Sequence, residues 1–135
     1  PVLTPHERAA AVTSGFTMID ENETGLRSAR AATLFFMPHC GRRLYSNVLR
    51  ANWATQALSR VVILGNSFAE YRLRILSPRK QQCCCVSRLG DQVVEQPLPP
   101  YTAAQAAFND TCLHTFPASP ALEKLLSEGL SDDIG

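Results

Sequence analysis

Two apolar runs of strand length, Thr33 to Met37 and Val61 to Leu64, flank a stretch whose apolar residues recur at helical spacing. Each run stops in a polar turn, Pro38-His39-Cys40-Gly41 after the first and Gly65-Asn66-Ser67 after the second. Strand, helix, strand in that order reads as a βαβ unit, in which the crossover makes the two strands parallel. Both turns then lie at the carboxyl ends of their strands, the edge of an open parallel sheet at which ligands bind. The pattern thus locates a site without naming a reaction.

A chain of 135 residues, 45% hydrophobic and 19% charged, suits a single domain over residues 1–135 with its own core. No apolar run approaches the roughly 18 residues of a membrane span, so no membrane association is expected. The opening Pro1-Val2-Leu3-Thr4 has neither the charged nor the apolar region of a signal peptide. It also lacks a starting Met, and the expectation is an amino-terminally truncated piece. Five cysteines, with Cys83, Cys84 and Cys85 adjacent, do not form a disulfide framework and fit a reducing compartment. The expected location is the cytoplasm, with the nucleus as a second.

The formal charge of +1 hides segments of −1 (residues 1–41), +8 (42–90) and −6 (91–135). A basic middle could meet a polyanion, but charge runs are usually solvated surface. Without interleaved exposed aromatics or a nucleic-acid motif, direct nucleic-acid binding is disfavoured, and the partners are unidentified proteins.

Thr4-Pro5-His6-Glu7 has capping-box form with Pro in the first helical turn, and predicts a helix to about Ser14. Phe16 to Ile19 reads as a short strand, and Val2-Leu3 as the end of another; residues 20–30 read as a loop or a short irregular helix. Leu44, Tyr45, Val48, Leu49 and Trp53 share one helical face, flanked by Asn47 and Asn52. A short helix follows Phe68. Cys83 to Leu89 and Gln92 to Gln96 suggest two strands around the Gly90-Asp91 turn, or one strand and a loop; Tyr101 to Phe108 suggests a helix, Thr111 to Phe116 a last strand, and Ser119-Pro120 a closing helix. Residues 129–135 read as a flexible tail. The expected fold class is α/β, a Rossmann-like three-layer sandwich with a mostly parallel sheet that lacks its first strand.

The candidate ligand-binding residues are His39, Cys40, Gly41, Asn47, Trp53, Gly65, Asn66, Ser67 and Asp110. His39 and Cys40 stand where the amides of a helix start could meet an anion, although adjacent side chains diverge too far to act as base and nucleophile on each other. Cys112 and His114 share a strand face, so a metal cluster with residues 39 and 40 is conceivable, but its spacing matches no zinc pattern. Gly65 permits close backbone approach, and Asn66 and Ser67 offer a cap or a ligand contact. Asp110 joins His39 and Asn66 around one cleft if the last strand is antiparallel; otherwise it makes a local turn. No catalytic or metal residue is assigned. Buried, inert thiols are the favoured reading of Cys83 to Cys85.

With MPHCG at Met37 to Gly41, NVLRANW at Asn47 to Trp53, ILGNSF at Ile63 to Phe68 and FNDT at Phe108 to Thr111, the chain resembles the Sensitivity to Red Light Reduced family. PVLTPHE at the start and CLHTFP at Cys112 to Pro117 agree, and the likeness points to an animal-type member. The resemblance implies a Rossmann-like domain and a regulatory role linked to haem biosynthesis and the circadian clock, acting by ligand or partner binding. It leaves the cofactor open between haem and a nucleotide-type ligand. The alternative is an enzyme, such as a group transferase, using a nucleotide-type cofactor at the carboxyl edge of the sheet; the absence of a paired acid and base favours the regulatory reading.

Overall fold

The computed structural model describes residues 3–73, 84–104 and 106–130. Helix α1 (Pro5–Thr13) begins at Thr4, whose side chain accepts from the Glu7 amide while Glu7 reaches back to the Thr4 amide, the predicted capping box. It buries none of its residues, so capping rather than packing holds it. Strand β1 (Thr33–Met37) leads into α2 (Arg42–Ala51), a short α3 (Thr55–Leu58) and β2 (Val61–Asn66). Then come α4 (Phe68–Leu73), α5 (Cys85–Leu89), β3 (Val94–Pro97), β4 (Thr111–Thr115) and α6 (Pro120–Ser127), the last capped by Ser119.

The sheet has the order β1-β2-β4-β3. β1 and β2 are parallel, with Thr33 opposite Val61 and Met37 opposite Gly65, as the βαβ reading requires. β2–β4 and β4–β3 are both antiparallel. A mixed, mainly antiparallel sheet replaces the mostly parallel Rossmann-like one expected. The cause is the link between β3 and β4, residues 98–110, which carries Pro99 and Pro100 and a single 3₁₀ turn at Thr102–Ala104 among the described residues. A parallel return needs a crossover, usually helical, whereas this link folds straight back.

The layering differs as well. Tyr45, Val48 and Leu49 of α2, Phe68 and Tyr71 of α4, Cys85, Val86 and Leu89 of α5, and Leu122 and Leu126 of α6 form one core with Val61 and Ile63 of β2. Burying each large apolar side chain contributes about 1.5–3 kcal/mol. The opposite face carries Leu34 and Phe36, which are 59% and 63% exposed. Among the described residues the molecule therefore has two layers, where three were expected.

Further corrections are local. Phe16 to Ile19 forms no strand, and both end residues are exposed. Cys85 to Leu89 is helical, because Cys85, Val86 and Leu89 bury one face at helical spacing against the core. Of Tyr101 to Phe108, the described residues show a 3₁₀ turn at Thr102–Ala104 and no α-helix. The expected strand at Val2, the end of the helix after Phe68, Cys83 and residues 131–135 of the tail lie outside the described residues.

Gly65 is required by the fold. A Cβ on Gly65 would stand 2.6 Å from the Tyr45 hydroxyl oxygen and 2.7 Å from its ring, whereas one on Gly41 would meet nothing within 4 Å. Gly65→Ala is expected to cost about 1–3 kcal/mol by overpacking, read by denaturant unfolding, and Gly41→Ala to leave the midpoint unchanged. Equal effects of the two substitutions would contradict this packing.

Candidate functional site

The carboxyl ends of β1 and β2 are joined by side chains of α2 and α4. The Tyr45 hydroxyl donates to the Met37 carbonyl and accepts from the Asn66 amide at 2.9 Å. Burial pushes this phenol up to about 12, against the Asn66 contact, so it stays protonated and donating. The Asn66 side chain accepts from the His39 amide at 2.6 Å and donates to the Tyr71 hydroxyl at 3.0 Å. Tyr71 in turn donates to the Cys40 carbonyl at 2.6 Å. His39 has left-handed backbone, φ 59°, and its Nε2 donates to the Ala107 carbonyl at 2.9 Å. His39, Cys40, Gly65 and Asn66 thus meet at one rim, but mainly to lock the two turns together. Gly41 caps α2 through its extended backbone.

Asp110, also left-handed at φ 55°, accepts the Ser67 amide at its carbonyl, 2.8 Å away. Its strand is antiparallel, as the common-cleft reading requires, although β4 lies inside the sheet rather than at its edge. Asn47 and Trp53 are elsewhere. Asn47 donates to the Thr24 carbonyl at 2.8 Å, and the Trp53 ring lies 5.5 Å beneath the Arg88 guanidinium carbon. Helix α2 rises about 15 Å over its length, which puts Trp53 at the far end from Gly41. Asn52 is also structural: 1% exposed, it holds the Ala29 amide and the Arg27 and Val48 carbonyls.

Beside this rim lies an open cleft of about 440 Å³, lined by Ser67, Glu70, Glu95, Pro97 to Tyr101 and Phe108 to Cys112. Of the residues nominated from the sequence, Ser67 and Asp110 reach it. Glu95 is the principal residue missed. Its Oε1 accepts from the Ser67 hydroxyl, and its Oε2 accepts from the Phe68 and Ala69 amides at 3.0 and 3.1 Å. Ser67 also accepts from the Glu70 amide at 3.1 Å. The start of α4, where Ser67 was read as a cap or a ligand contact, already holds the chain's own carboxylate. Burial works to raise the Glu95 carboxyl, but Ser67, Ala69 and His114 outweigh it and hold the group below its ordinary range. The available signal was an acid two residues after Val93, on the same strand face as a buried apolar residue.

Under Glu95 is His114, 0% exposed and stacked on Phe68 at 4.0 Å between ring centres. Its Nδ1 donates to the Ile63 carbonyl at 3.1 Å, leaving Nε2 without a hydrogen-bond partner and 3.6 Å from Glu95 Oε2. Burial pulls its protonation below the ordinary histidine range, outweighing Ile63 and Glu95, so the ring is neutral. Burial and Glu95 push the Cys112 thiol up to about 11, and burial also raises Cys40.

The haem link implied by the resemblance receives no support from these groups and is withdrawn. The His39 Nε2 lies against a carbonyl, and His114 is sealed beneath Phe68 and Glu95. The conceivable cluster of residues 39, 40, 112 and 114 does not assemble, and among the described residues no three His, Cys, Asp or Glu side chains group as metal ligands. No helix among them is long and apolar enough to cross a membrane.

The neutral buried histidine has a pH signature. Its folded-state pKa lies below the ordinary histidine value of about 6.5, so the unfolded chain takes up a proton that the folded chain refuses. Stability is therefore full above that value and falls as pH drops below it, by up to about 1.4 kcal/mol per pH unit. Glu95 adds a separate loss as pH falls below the ordinary glutamate range. Urea unfolding between about pH 7.5 and pH 5 should show the first slope, and His114→Gln should flatten it. A slope that survives the substitution would contradict a neutral His114.

The chain matches the SRR1 domain over residues 1–115. It is 45% identical to the mouse SRR1-like protein over 78 residues, 57% of this chain and 31% of that protein. Against the Arabidopsis thaliana Protein SENSITIVITY TO RED LIGHT REDUCED 1 it is 35% identical over 119 residues, 86% of the chain and 43% of the relative. The Drosophila melanogaster SRR1-like protein is 34% identical over 93 residues, 69% of the chain and 32% of its own length. The matched stretches thus span less than half of each relative. No solved structure matches. A family match that runs from the α1 cap to the end of β4, and so takes in both interlocked turns and the cleft, makes this chain a member of the SRR1 family.

Proposed function

We propose that this chain is an animal-type SRR1 protein that regulates by binding, taking a ligand or a protein partner into the cleft between α4, β3 and the β3–β4 link without transforming it. The observation that carries this reading is an open cleft of about 440 Å³ whose hydroxyl and thiol, Ser67 and Cys112, are both held unreactive. The Ser67 hydroxyl donates its hydrogen bond to Glu95 and accepts from the Glu70 amide. The vacant nitrogen of His114 faces a carboxylate rather than a hydroxyl or thiol, and the Cys112 thiol sits near 11, far from the thiolate that a nucleophile needs. Half-open, apolar-walled clefts with a few fixed polar groups are what binding sites require.

The animal-type assignment is supported by the identity with the mouse protein. The name of the Arabidopsis relative ties that protein to red-light sensitivity. Together with the resemblance, it supports a role in signalling for this chain, with the circadian clock as the output and the cytoplasm or nucleus as the setting.

The test is replacement of the endogenous protein by the variant Tyr101→Ala/Asp110→Asn, which alters the cleft rim and leaves the buried interlock alone. Its midpoint of thermal unfolding should stay within about 2 °C of the parent, while the period of a clock reporter should match that of cells lacking the protein. Full rescue by this variant would overturn the assignment of function to the cleft.

A further inference from the structure

The sheet has a second face that the cleft does not use. Strand pairing sets its side chains in two rows, because residues directly opposite one another point to the same side. Leu34 stands opposite Val62, Val62 opposite Thr115 and Thr115 opposite Val94. Two residues further along, Phe36 stands opposite Leu64, Leu64 opposite Leu113 and Leu113 opposite Gln96. Val61 and Ile63 pack with the helices on the other side, so by alternation both rows face away from the core. Neither row contains a charge, and neither contains a residue that lines the cleft.

The rows are open to water among the described residues. Leu34, Phe36 and Val94 are 59%, 63% and 52% exposed, and the central Val62, Leu64 and Leu113 are only half-buried. A sheet with one solvated face ordinarily turns polar residues outward. Here the outward positions are as apolar as the inward ones, the pattern of a sheet covered on both sides.

The width of the face decides what covers it. Its four strands, about 4.8 Å apart and about five residues long, span roughly 19 Å by 17 Å. A single helix, about 10 Å across, would cover two strands and leave either Leu34 and Phe36 or Val94 in water. A second sheet of the same width covers all four, and two sheets packed about 10 Å apart interdigitate their side chains. The absence of charge removes the repulsion that two identical faces would otherwise meet.

We infer that this face is a self-association surface, on which the sheet of a second copy packs with Leu64 and Leu113 at the centre and Leu34, Phe36 and Val94 at the margins. Each copy contributes on the order of 300 Å² in projection, against about 800 Å² per partner in a stable dimer. The pair is therefore weak, with a dissociation constant on the order of 100 µM, and it forms and parts with concentration.

Sedimentation equilibrium of the 135-residue chain from about 5 µM to about 1 mM should show the mean mass rising from 14.8 kDa toward twice that value. Phe36→Glu/Val94→Glu places an acid on each outer strand. In an aligned packing β1 lies over its own counterpart or over β3, so like charges meet in either case. The dissociation constant should rise at least about tenfold. Mixing this variant with Phe36→Lys/Val94→Lys should restore association, an outcome that loss of fold cannot produce. Undiminished association of the acidic variant overturns the inference, as does a mixture no more associated than its components. Weakening by Phe36→Glu with none by Val94→Glu gives the contact to the free edge of β1 and also overturns it. A chain that stays at 14.8 kDa at every concentration overturns it as well, and binding of that monomer to neutral phosphatidylcholine vesicles would assign the face to a lipid surface instead.

Discussion

The Tyr45 phenol occupies the space that Gly65 leaves empty, and the remainder of the site depends on that contact. A hydroxyl that donates to Met37 and accepts from Asn66 fixes the ends of β1 and β2 relative to each other. The phenol can reach that point only because residue 65 has no side chain, and its ring is held from beside by Phe68 at 5.5 Å and Tyr71 at 5.8 Å. Once those strand ends are fixed, Asn66 is placed to hold His39 and Tyr71, and Ser67 to begin α4. Several motif residues that look like chemistry in one dimension are thus hinge pins in three.

How much of this was legible follows from sequence distance. β1, α2 and β2 declare themselves by local periodicity, and the parallel register follows from the crossover. The cap of α1 and the Ser119 cap of α6 are equally local. The contact between Ser67 and Glu95 joins residues 28 positions apart and exists only because β3 lies beyond β4. No periodicity carries that placement. The layering was illegible for a related reason: Leu34 and Phe36 read as residues covered on both faces, since an apolar run does not say whether a second layer packs on it.

Glu95 changes the meaning of the strand-end rule. The edge where parallel strands end does collect polar groups here, but the amides at the start of α4 are taken by a carboxylate from the chain itself. An internal anion at that point reverses the sign of the cleft. What would have attracted phosphate now repels it, and the acidic last third of the chain, rather than its basic middle, sets the field that a ligand meets.

Among the described residues the outermost strand β1 pairs with β2 alone, and its segment Thr33-Leu34-Phe35-Phe36-Met37 contains neither a charge nor a proline. Such a rim has hydrogen-bonding groups to spare and nothing to repel a like neighbour. At high concentration it invites stacking of one molecule against the next, so the dilution at which this polypeptide is handled governs whether it stays a discrete particle.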